Sequence, residues 1–78
     1  MEVKEHKGIR EYLEKRQLTK QYRKQKSLIK AGYFDLAHLK KMTPKSREIY
    51  YFRINKKYRA IGFIEKDTFV VTEIWDHQ

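Results

Sequence analysis

Near the C-terminal end stand "YYFRINKKYRAIGFI" and "IWDHQ", which hold Arg53, Arg59, Asp76 and His77. A guanidinium offers five donors in a planar fork that matches phosphate, and it stays charged at any relevant pH. Histidine has its unperturbed pKa near neutrality, so His77 could take up and release a proton in the cell. Together these residue types suit phosphate recognition with proton transfer. In a hairpin, Arg53 and Arg59 approach each other across the ladder, and like charges placed opposite repel. They are tolerated if an anion sits between them or if each has its own acid, for which Glu48 and Glu73 are the candidates. Two readings therefore stand: a pair of solvated or paired surface arginines, or a phosphate clamp. His77 likewise reads as a frayed terminal residue or as a proton-transfer group. Asp76 alternates to the opposite face if the strand persists, so it need not touch His77.

The charge surrounding these residues points the same way. The chain has 78 residues and a net charge of +9. Lys15, Arg16, Lys20, Arg23, Lys24, Lys26 and Lys30 follow one another with no acid between them, and Lys45, Arg47, Lys56 and Lys57 extend the field toward the arginines. Such a field attracts polyanions, and binding one releases condensed counterions. Nucleic acid is the partner this favours. A solvated basic helix gives the same pattern, and an acidic protein partner fits it too. Aromatic rings beside cations can stack bases, and Tyr51 and Tyr58 are placed for that, while Phe63 and Trp75 divide between core and open face. There are no cysteines, and His6, His38 and His77 are scattered, so no metal or other cofactor is expected. No apolar run approaches a membrane span and no leader is legible, which leads us to expect a cytoplasmic protein with no membrane partner.

The elements that must position these residues follow from periodicity. "MEVKEH" is a weak edge strand with Val3 as its only branched apolar residue. Ile9, Tyr12, Leu13 and Leu18, then Tyr22, Leu28 and Ile29, predict helices over 8–16 and 19–31. Thr19 is placed to cap the second helix and Gly32 to stop it. "YFDLAHLKKM" reads as a connector packed on the core, and Pro44 breaks the pattern. From Ile49 the period becomes two, with strands in "YYFRI", "YRAIGFI" and "TFVVTEIWDH" and turns at "NKK" and "EKD". The expectation is one α+β domain over 1–78, with two N-terminal helices packed on one face of a small antiparallel sheet.

The run Arg53-Ile54, Asn55-Lys56-Lys57, Tyr58-Arg59-Ala60-Ile61, Glu65-Lys66-Asp67 and Phe69–His77 resembles the RelE/ParE superfamily of toxins, and within it the HigB-like and YoeB-like branches. The resemblance is specific over the last thirty or so residues. Over 1–48 it rests on length, helix order and charge. It implies a twisted sheet carrying two helices. It also implies a type II toxin that cleaves mRNA in the ribosomal A site and is neutralised by a small acidic antitoxin. Arg59 takes the place of the arginine facing the scissile phosphate, His77 that of the YoeB-like catalytic histidine, and Asp76 that of the HigB-like aspartate. Gln78 stands where the YoeB-like ending has tyrosine, and Glu48 matches that branch's glutamate only by proximity. The chemistry implied is metal-independent attack of a 2′-hydroxyl on the adjacent phosphate. His77 would serve as acid or base and Arg59 would stabilise the charged phosphorane, while Arg53, Lys56 and Lys57 hold flanking phosphates. The alternative is a non-catalytic member, either a gyrase-directed poison or a degenerate nucleic-acid-binding module.

Overall fold

The computed structural model describes residues 1–43 and 47–76. Along them run β1 (Glu2–Glu5), α1 (Ile9–Lys15), α2 (Thr19–Ala31), β2 (Lys40–Lys41), β3 (Tyr50–Arg53), β4 (Tyr58–Glu65) and β5 (Thr68–Asp76). The five strands form one sheet in the order β1-β5-β4-β3-β2. The architecture is a small α+β fold, but the sheet is mixed rather than wholly antiparallel. β1 lies parallel to β5, in register from Glu2↔Thr68 to Glu5↔Val71. This register sets Val3 beside Phe69 in the core and turns Glu5 toward α2. One buried apolar side chain and one paired carboxylate are enough to seat a polar edge strand.

The helices end through backbone hydrogen bonds. Past Lys15 the N–H of Gln17 donates to Glu14 and that of Leu18 to Leu13, at 3.1 and 2.8 Å. Gln17 takes the left-handed conformation this closure needs, at φ 57°. α2 closes alike at Gly32 (φ 89°), with Gly32 and Tyr33 donating to Ile29 and Leu28. Thr19 does not cap α2. It is the first helical residue, and its hydroxyl oxygen is buried with no partner among the described residues. The closure of α1 drives Leu18 into the core directly before the helix, which leaves no extended residue to act as a cap.

Leu13, Leu18, Tyr22 and Ile29 of the helical segment join Val3, Phe52, Ala60, Phe69 and Val71 of the sheet in one buried cluster. Phe52 anchors it, edge-on to Phe69 at 5.2 Å and stacked on Tyr22 at 6.0 Å. The connector contributes less than expected. Ala37 is buried and Leu39 half-buried, whereas Tyr33 and Leu36 are 59% and 62% exposed.

The decisive irregularity lies in β5. Phe69 and Val71 face the core, and strict alternation would send Glu73 and Trp75 there as well. The register instead shifts between Ile61, opposite Glu73, and Gly62, opposite Val71. Thr72 is the extra residue, and its hydroxyl donates to the Ile61 carbonyl at 3.3 Å. Beyond the bulge Ile74 packs on the core, and Glu73 and Trp75 turn to the other face. Glycine is required opposite the bulge, because a Cβ on Gly62 would stand 1.8 Å from the Val70 carbonyl oxygen.

Candidate functional site

On the sheet face away from the main core, Arg53 of β3 stands directly opposite Arg59 of β4, and Arg59 opposite Trp75 of β5. The next row holds Tyr51, Ile61 and Glu73. The two guanidiniums therefore meet as the hairpin reading requires, but neither has a carboxylate partner among the described residues. Glu48 lies 3.4 Å from Lys41 instead, and Glu73 forms no ion pair among the described residues. Backbone carbonyls take the acids' place. Arg53 Nε and Arg59 Nη1 both donate to the carbonyl oxygen of Asn55, at 3.2 and 2.8 Å. Arg59 Nη1 also lies 3.2 Å from the Tyr58 carbonyl and 3.5 Å from that of Lys56. Carbonyl dipoles orient the pair without cancelling its charge. The remaining guanidinium N–H groups have no acceptor among the described residues, and they suit an anion.

Beside Arg59 opens a groove of about 290 Å³, lined by Lys41, Met42, Thr43, Tyr51, Arg59 and Trp75. Trp75, 43% exposed, is the aromatic that sequence reasoning left off its short list. Unbroken alternation pairs it with Phe69 and Val71, and only the bulge moves it beside Arg59. Tyr58 is corrected in the opposite sense. It lies against the core cluster, and the Lys57 ammonium stands 5.5 Å from its ring centroid. It shares a face with Phe52 and Ala60, so it is not placed to stack a base in this groove.

Lys56 and Arg47 are exposed. Lys57 is 3.7 Å from Asp76. Asp76 stands opposite Tyr58 and so faces away from the arginines, with Oδ1 buried and without a partner among the described residues. The structure brings together Arg53, Arg59, Tyr51 and Trp75, and it keeps Asp76 apart from them. On β5 the carboxylate sharing the arginine face is Glu73. Lys45 and His77 lie outside the described residues.

The basic helices are partly answered from within. Lys15 pairs with Glu11 at 3.2 Å, and the Arg16 guanidinium lies 3.7 Å from the Tyr12 ring centroid. Lys26 and the Tyr22 hydroxyl donate to the same Glu5 oxygen, at 2.9 and 2.6 Å. Burial works to raise the Glu5 pKa. The hydrogen bonds from Tyr22 and Lys26, with the charges of Lys26 and Arg10, outweigh it and hold the carboxyl below its ordinary 4.5. Burial first, and then Glu5, push the Tyr22 hydroxyl well above its ordinary 10.0. Lys20, Arg23, Lys24 and Lys30 have no carboxylate partner among the described residues, and they leave the outer surface of α2 strongly positive.

Among the described residues, no group of His, Cys, Asp or Glu is placed to hold a metal ion, and no helix is long and apolar enough to cross a membrane. No protein-family model matches the chain, and no curated protein matches it.

Proposed function

We propose that this protein is a toxin of the RelE/ParE type. On this reading it is a metal-independent endoribonuclease that cuts mRNA at the ribosome by attack of a 2′-hydroxyl on the adjacent phosphate. One observation carries the reading: the register-paired Arg53 and Arg59, held by carbonyls rather than acids, beside a groove lined by Tyr51 and Trp75. Two uncancelled guanidiniums on an open sheet face answer the charge that grows on a phosphorane. Aromatic rings next to them answer the bases of a single strand.

Each step then has an owner. Arg59 binds the scissile phosphate and stabilises its added charge, and Arg53 holds the same group or its neighbour. Lys56, Arg47 and Lys45 steer the flanking backbone, and Trp75 and Tyr51 stack the bases on either side. His77 moves one proton, as the resemblance to the YoeB-like branch implies. Glu73, on the arginine face, is better placed than Asp76 to move the other. The uncompensated cations of α2 serve a small acidic antitoxin and the ribosomal RNA in turn.

The test is to induce the chain alone and map message ends by primer extension. Growth arrest with discrete new ends inside translated codons is the expected result. Intact messages alongside inhibited gyrase would replace the enzyme with a gyrase-directed poison.

A further inference from the structure

The turn joining β3 to β4 does more than connect two strands. The Asn55 side-chain oxygen accepts from the backbone N–H groups of Lys57 and Tyr58, both at 2.8 Å. This is an Asx turn, in which a side chain stands in for backbone and fixes the loop. Its amide nitrogen donates to Gln21 of α2 at 2.7 Å, tying the turn to the helix. Its main-chain oxygen receives both guanidiniums. One residue thus ties together a helix, a turn and the two cations of the site.

We propose that Asn55 is the positioning residue of the arginine pair, with Gln21 as its brace. The bonds to Lys57 and Tyr58 set the direction of the Asn55 carbonyl, and that carbonyl sets where Arg53 and Arg59 point. Each guanidinium hangs on several rotatable bonds, and binding an anion would otherwise have to order both. The like charges stay close because a shared acceptor lies between them, so the site is assembled before an anion arrives. Gln21 is exposed on the basic helix, so the brace reaches the surface where a partner of α2 would dock.

Part of the inference rests on the proposed nuclease reading, and its test separates the two. The full chain is compared with Asn55→Ala, Asn55→Ser and Gln21→Ala. The guanidinium ¹⁵N–¹H signals of Arg53 and Arg59 are followed while inorganic phosphate is titrated, and kcat and KM are measured for RNA cleavage. Asn55→Ala should broaden both arginine signals and weaken phosphate binding. It should lower kcat by ~10–10² with KM little changed, the penalty for misplacing groups by about an ångström. Asn55→Ser, whose hydroxyl makes a weaker turn of the same kind, should recover part of each effect. Gln21→Ala should give a smaller effect in the same direction. Wild-type arginine signals and phosphate affinity in Asn55→Ala would overturn the proposal. So would equal damage in the Ala and Ser variants accompanied by loss of cooperative melting, which marks a residue needed only for folding. If the wild-type chain cuts no RNA, the nuclease reading fails, and the arginine signals and phosphate titration still decide the role of Asn55.

Discussion

Glu5→Ala removes the acceptor shared by Tyr22 and Lys26, and these two residues are not equally able to tolerate its loss. The Glu5 side chain is 11% exposed and that of Lys26 26%, while Tyr22 as a whole is 4% exposed. Lys26 can swing its ammonium into water, so its share is that of a surface pair, about 0.5–1 kcal/mol. The Tyr22 hydroxyl cannot leave its place between α2 and β1. Its 2.6 Å bond to a carboxylate belongs to the charge-assisted class, worth about 1.5–3 kcal/mol. The expected loss is ~2–4 kcal/mol, which lowers the melting midpoint by roughly 10–25 °C in a domain of this size. Lys26→Met should cost no more than about 1 kcal/mol, because Glu5 keeps Tyr22. The linkage to pH has a definite sign. The Glu5 carboxyl titrates below 4.5 in the fold, so its contribution is whole above that pH and is lost as the pH falls through the lowered folded value. The gap between wild type and Glu5→Ala should therefore close in acid. Urea unfolding of the three proteins from neutral pH down to about 3 measures all of this. A Glu5→Ala protein within about 0.5 kcal/mol of wild type at neutral pH would refute the reasoning, as would equal losses in Glu5→Ala and Lys26→Met.

Gly62→Ala should abolish cooperative unfolding, because its Cβ would meet the backbone carbonyl of Val70 at 1.8 Å and the two longest strands would have to part; circular dichroism on heating checks this. Trp75→Ala should weaken binding of a short single-stranded RNA by about 1–3 kcal/mol, the usual worth of one stacked base. Unchanged RNA affinity by fluorescence anisotropy, in a variant shown by thermal melt to be folded, would take Trp75 out of the site. A partner held by Lys20, Arg23, Lys24 and Lys30 should bind more weakly as salt rises, since exposed charges are screened over about 8 Å at physiological ionic strength. Calorimetry across a salt series checks that, and a flat affinity points to an apolar interface instead.

Both helices were legible in the sequence because Ile9, Leu13, Tyr22 and Ile29 keep helical spacing and Gly32 ends the pattern. β3, β4 and β5 were legible because the period falls to two at Ile49. Other features needed tertiary contacts. β1 looked weak because its inward residues are Val3 and a carboxylate, and nothing local shows that Tyr22 and Lys26 wait for Glu5. β2 is two lysines long and exists only as a partner of Tyr50 and Tyr51. The site was half legible. The hairpin arithmetic places Arg53 against Arg59 and offers an anion or an acid as what reconciles them; the Asn55 carbonyl that receives both was not foreseen, since a carbonyl leaves no mark in composition. The faces on which Trp75 and Tyr58 lie were not legible, for related reasons. The bulge at Thr72 moves the first to the open face, and the register with Asp76 and the core packing hold the second on the other.

The central claim is that Arg59 acts on a scissile phosphate, and single-turnover cleavage of a message on programmed ribosomes tests it most directly. Purified wild type, Arg59→Lys and Arg59→Ala are compared, each first shown by thermal melt to be folded. Wild type should yield discrete fragments. Arg59→Ala should be slower by ~10²–10³, the usual effect of deleting one transition-state donor. Arg59→Lys should fall between them, because a point-like ammonium cannot reproduce a bidentate fork. A folded Arg59→Ala protein that cuts at the wild-type rate would contradict the account.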